Sequence, residues 1–118
     1  VKEGKVLKDL EKRLEQLEYN QMLLLEMVNP EKYPFNMLII RECISKQEVQ
    51  ELHKLCERLT EMYEEQKAQG LVIFTELLTL FAGQLNYKLD VVETVQALYR
   101  QNLHKALMKT FLDIIKKQ

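Results

Sequence analysis

The segment Gly70 to Leu85, GLVIFTELLTLFAGQL, constrains this chain more than any other. Leu71, Val72, Ile73, Phe74, Leu77, Leu78, Leu80, Phe81, Ala82 and Leu85 leave it almost no polar face. A helix that is apolar nearly all round is normally enclosed by other elements. Spanning a bilayer takes about 20 apolar residues, and Thr75, Glu76 and Thr79 interrupt a stretch already shorter than that. The expectation is a central helix over about 74–86, N-capped by Thr75, with residues 71–74 extended before it. Gly83 inside that helix costs up to about 1 kcal/mol against Ala, which a close helix crossing or a kink would explain.

The rest of the chain reads as helix around it. Leu, Glu, Lys and Gln are frequent while Gly and Pro number only 3 and 2, and the frequent types lose least on entering a helix. Asn29-Pro30 ends a first long helix, because the residue before proline is steered out of the α region. Tyr33-Pro34-Phe35 opens a short one, with Pro34 suited to its first turn. Ser45 with Glu48 is a capping-box signature for a long amphipathic helix from Lys46 to Gln69, which Gly70 stops as a left-handed C′ residue. Asn86 to Leu89 reads as a loop. Asp90 with Glu93 forms a second capping box, and a last helix runs from about Leu103 to Lys117. The fold class is all-α, about six helices, in one domain over 1–118. Residues 1–28 form a coiled-coil-like helix and 29–118 the helical core.

In the first helix Leu7, Leu10, Leu14, Leu17, Gln21, Leu24 and Val28 keep a three-four spacing, the a/d pattern of a coiled coil. Arg13 at g and Glu18 at the following e would meet between parallel strands, and Gln21 is a polar residue that fixes register. Leu7, Leu10, Leu14, Leu17, Gln21 and Leu24 are the candidates for an oligomer interface, dimer or trimer. An amphipathic helix packing on its own domain explains the same pattern. Beyond Leu24 the helix is apolar on more faces (Met22, Leu23, Leu25, Met27), so that end is expected to be buried.

Charge points away from nucleic acid. Residues 1–70 carry 11 basic and 14 acidic side chains, and residues 71–118 carry 6 and 4, which sum to 17 and 18. Neither part has the basic excess that phosphate binding needs. A helix-turn-helix reading would offer Thr94, Gln96 and Arg100, only one of them basic. The segment from Val1 to Leu10 is strongly charged without an apolar run, so no signal peptide is read there. Cys43 and Cys56 lack a CxxC spacing and read as core thiols of a reduced, cytoplasmic chain.

Catalytic signals are thin. There is no phosphate loop, GxSxG elbow or HExxH motif. His53, Cys56 and Glu57 could face one metal ion, but a structural zinc site takes four ligands and Cys56 lies on the apolar stripe. His104, alone with only lysines nearby, reads as a partly exposed surface residue. Glu11 with Glu15, and Glu57 with Glu61, read as solvated faces. No catalytic residue, cofactor or metal is expected.

One set of motifs carries a resemblance. Tyr33-Pro34-Phe35, Gln66-Lys67-Ala68-Gln69-Gly70, Phe74, Leu77-Leu78, Leu80 to Asn86, Lys88-Leu89-Asp90, Glu93-Thr94, Ala97-Leu98-Tyr99 and Gln101 follow in order. Together they resemble the YhaI-like family of small uncharacterised proteins from bacilli, from about Leu14 to Ile115. The resemblance implies a multihelical cytosolic protein of unknown function and supplies no site residues. Within those motifs Lys67, Gln69, Gln84 and Asn86 are not required by packing. They either cap and bridge loops around Gly70 and Asp90 or form a polar patch for a ligand. The reading is a non-enzymatic helical assembly protein that self-associates, with an unidentified protein partner allowed and no membrane. The alternatives are a nucleic-acid-associated regulator and a small-ligand sensor with a pocket beside Gly83, where Gln84, Asn86 and Tyr99 would converge.

Overall fold

The computed structural model describes residues 2–117; Val1, which begins the charged amino-terminal segment, and Gln118 lie outside it. Six helices and no strand occur among the described residues: α1 (Lys2–Met27), α2 (Pro34–Arg41), α3 (Lys46–Ala68), α4 (Thr75–Gln84), α5 (Val91–Arg100) and α6 (Lys105–Lys116). The chain divides into two compact units, one ending at Pro30 and the other beginning at Glu31.

The first unit is α1. None of its residues is buried. The expectation that its carboxyl end is buried is not met: Met22, Leu23, Met27 and Val28 are exposed, and Leu25 is only half-buried.

The second unit holds α2 to α6 around one core. Phe35 and Leu38 of α2, Leu52, Leu55, Cys56 and Leu59 of α3, Leu77 and Phe81 of α4 all belong to it. Val95, Ala97 and Leu98 of α5, Leu107, Met108 and Phe111 of α6, and Ile44 and Leu89 from the connections complete it. At its centre the Phe81 and Phe111 rings meet with centroids 5.4 Å apart. The α4 helix enters this core by one stripe only. Leu77 and Phe81 are fully buried, Leu78 and Leu80 half-buried, and Ala82 exposed. Gly83 is exposed too, and a Cβ built on it meets nothing within 4 Å, so no close crossing explains it. Residues 71–74 lie outside any helix, as expected, yet Val72 and Ile73 are 84% and 76% exposed.

The helix ends show why the chain turns where it does. At Ser45 the capping box is complete: Ser45 Oγ accepts the Glu48 N–H at 3.1 Å, and Glu48 Oε1 accepts the Ser45 N–H at 3.0 Å. Asp90 accepts the Glu93 N–H at 2.9 Å, but the Glu93 carboxylate turns to Arg41 instead of back to its own cap. Thr75 is not the N-cap of α4. That place is held by Phe74, with no side-chain cap bond.

Three helices finish in the same way. After α3, the Gly70 N–H donates to Lys67 O at 3.0 Å and the Leu71 N–H to Gln66 O at 2.9 Å, with Gly70 at φ +88°. This is the Schellman pattern, in which a left-handed C′ residue satisfies the last carbonyls. The same pair of bonds follows α2 through Cys43 (φ 54°) and Ile44, and follows α5 through Asn102 (φ 62°) and Leu103. Leu103 therefore belongs to the turn, and α6 starts at Lys105 and not at Leu103.

Candidate functional site

On α1 the seam is laid bare. Leu7, Leu10, Leu14, Leu17 and Leu24 are each between 47% and 62% exposed, and Gln21 is exposed among them. A 26-residue helix is about 39 Å long at 1.5 Å per residue. Its apolar positions are spaced so that they share one face, which leaves an exposed apolar stripe along the helix.

The four polar-patch candidates fall in two places. Asn86 donates through Nδ2 to Glu48 Oε2, and its Oδ1 accepts the Lys88 N–H at 2.9 Å. Gln84 accepts from Arg58 of α3. Lys88 Nζ approaches Glu48 Oε1 at 3.4 Å. Gln84 and Asn86 thus fasten the end of α4 and the loop after it to α3. Lys67 and Gln69 stand at the other end of α3, where the Lys67 ammonium lies over the Tyr63 ring at 5.8 Å and the Gln69 N–H caps Glu65 O. Among the described residues no hydrogen bond or ion pair joins the two places.

Glu48 is the junction of the first. It serves the helix cap, Asn86 and Lys88 at once, and the backbone N–H of Ser45 with the Asn86 amide holds its carboxyl down at about 2. A cavity of about 100 Å³ lies here, lined by Glu48, Glu51, Leu52, Leu55, Gln84, Leu85 and Asn86. Small-molecule sites run to about 300–1,000 Å³, and Tyr99 does not line this one. A larger open groove of about 520 Å³ runs between Val72, Ile73, Phe74 and Thr75 on one side and Thr110, Asp113, Ile114 and Lys117 on the other.

A second polar junction joins residues far apart in sequence. His53 Nδ1 and His104 Nε2 are 2.9 Å apart, and both rings are half-buried. His104 is therefore partly exposed, as expected, but not alone, since His53 faces it. Burial, with His53 facing it, pushes its pKa down, against a smaller upward pull from Glu57. Three residues earlier, Gln101 caps α2: Oε1 accepts the Phe35 and Asn36 N–H groups at 2.9 and 3.1 Å, and Nε2 donates to Asn36 Oδ1 at 2.9 Å. A partner 51 or 65 positions away gives no local spacing signal, which is why sequence reasoning missed both contacts.

Other candidates change place. Thr94 is fully buried and donates to Asp90 O at 2.6 Å, so it cannot touch a nucleic acid. Cys56 is a core thiol, pushed up to about 12 by burial. Cys43 is not; it is exposed, because its left-handed backbone places it on the turn after α2. His53, Cys56 and Glu57 do not form a ligand set, and no group of three metal-ligating side chains occurs among the described residues.

Among the described residues no helix is long and apolar enough to cross a membrane. The family description that matches does not extend these contacts into an activity, since it is that of proteins of unknown function. Its match runs over residues 8–116, from the first turns of α1 to the last residue of α6. On that coverage the chain belongs to the DUF1878 family.

Proposed function

We propose that this protein is a non-enzymatic, cytoplasmic assembly protein that forms a homodimer or homotrimer through the α1 seam. One observation carries the reading: a 26-residue helix repeats leucine at heptad spacing and buries none of its residues. Each leucine side chain is worth roughly 1.5–3 kcal/mol when fully buried. With about half of each still exposed, five from each of two helices supply roughly 8–16 kcal/mol, enough to match the about 4–15 kcal/mol that association costs in lost freedom. Leucine at both a and d suits two or three strands, and Gln21 in the seam sets the register. Arg13 and Glu18 then face each other across a parallel pair. Two free thiols, one of them exposed, fit a reducing compartment. The YhaI-like resemblance fits the same picture of a small bacterial protein within the wider family. Sedimentation equilibrium at tens of micromolar tests the reading. A mass of two or three chains supports it, and a monomer throughout rejects it.

A further inference from the structure

We propose that His53 and His104 form a proton-operated latch: when the pair takes up a second proton, the loop 101–104 lets go of α3, and the α2 cap that this loop carries loosens with it.

The geometry supplies each part. The two rings meet nitrogen to nitrogen at 2.9 Å, a single hydrogen bond between imidazoles. Such a bond needs one N–H and one bare nitrogen. A first proton can go to an outward-facing ring nitrogen and leave the bond intact. A second has to occupy the only acceptor, which sets N–H against N–H and one positive ring against another. The His104 side chain then has no cap bond to fall back on: His104 is the N-cap of α6 through its backbone carbonyl alone, which accepts the Met108 N–H at 3.0 Å, and it sits at φ 50°. Left-handed backbone is costly for a residue with a side chain, so the loop has reason to relax once the contact goes. Asn102, also left-handed, stands two residues before it.

The surroundings decide when this happens. From α3, Glu57 favours the charged ring; His53 and burial oppose it and prevail, so His104 takes its proton below the ordinary histidine range. The α6 amino terminus, with its partial positive charge, acts in the same direction. From α2 the uncharged Phe35 ring meets His53, at 5.8 Å between centroids. Lys105 is turned to the Tyr99 ring at 5.7 Å. Release would therefore loosen Gln101 from the Phe35 and Asn36 N–H groups at the start of α2.

Amide hydrogen exchange of the full chain at about pH 7 and about pH 5, corrected for intrinsic rates, tests the latch within the histidine range. Residues 101–105 and 35–37 are expected to lose at least about tenfold in protection at the lower pH, equal to about 1.4 kcal/mol of local opening, while 52–59 keep theirs. His104→Asn, which tolerates left-handed backbone, is expected to remove that pH dependence. Unchanged protection in the parent, or the same drop in the variant, overturns the latch. NMR titration of the parent's two imidazoles gives a second reading that needs no variant. A delayed second protonation supports the latch, and two independent titrations in the ordinary range overturn it.

Discussion

The side-chain carbonyl of Gln101 accepts the backbone N–H of Phe35 at 2.9 Å, across 66 positions of sequence. It accepts the Asn36 N–H as well, so one amide from the end of α5 satisfies two of the orphan donors at the start of α2. Pro34 at the first helical position has no N–H to offer, and Tyr33 makes no side-chain cap. Gln101 does the work of a local N-cap from a distant turn. Gln101→Ala is expected to cost about 1 kcal/mol, the usual loss for a removed cap. Urea unfolding checks it: a lower midpoint at unchanged slope.

Glu48 makes stability depend on acid in a defined direction. Its carboxyl sits at about 2 in the folded chain, below the ordinary carboxylate range. A group depressed by folding contributes fully above its unfolded value and loses that contribution as pH falls through the folded one. Denaturant midpoints of the parent should therefore fall between about pH 5 and about pH 2 more than those of Glu48→Gln. The variant keeps an acceptor for the Ser45 N–H but has no proton to gain. Parallel pH profiles would count against this role.

Cys43 occupies the position where Gly70 and Asn102 sit after α3 and α5. A side chain in left-handed backbone costs about 1–2 kcal/mol that glycine does not. Cys43→Gly is expected to stabilise by about 1 kcal/mol, part of the strain being returned as glycine's unfolded-state entropy. A higher Tm by about 4 °C would show it. In the parent, a thiol reagent should label Cys43 in the native state and reach Cys56 only on unfolding, since Cys56 is fully buried.

These residues also show what the sequence makes legible. Ser45 with Glu48, and Gly70 after Gln69, act through neighbours, so their roles stand in the local pattern. The exposed tip Leu71-Val72-Ile73 misleads because hydrophobic residues predict burial without saying which of them a neighbour reaches. Met22, Leu23 and Met27 mislead in the same way. Asn102 before Leu103 carries a readable stop signal for α5, as asparagine is the second choice at C′. Cys43 carries none, because nothing in its type favours φ 54°. His53 with His104, and Gln101 with Phe35, depend on the packing of helices that sequence spacing does not specify. The α1 seam is the reverse case: its spacing is plain, while the partner proposed for it is a second copy that no pattern within one chain can specify.

The direct test of the central claim is sedimentation equilibrium of two charge variants beside the parent, with helicity followed by circular dichroism. Leu14→Glu with Leu17→Glu places charge in the seam, whereas Tyr19→Glu places it on the helix away from the a and d positions. The account requires an oligomeric parent, an oligomeric Tyr19→Glu and a monomeric seam variant that retains the helicity of α2 to α6. A monomeric parent, or a seam variant that associates as the parent does, would contradict it.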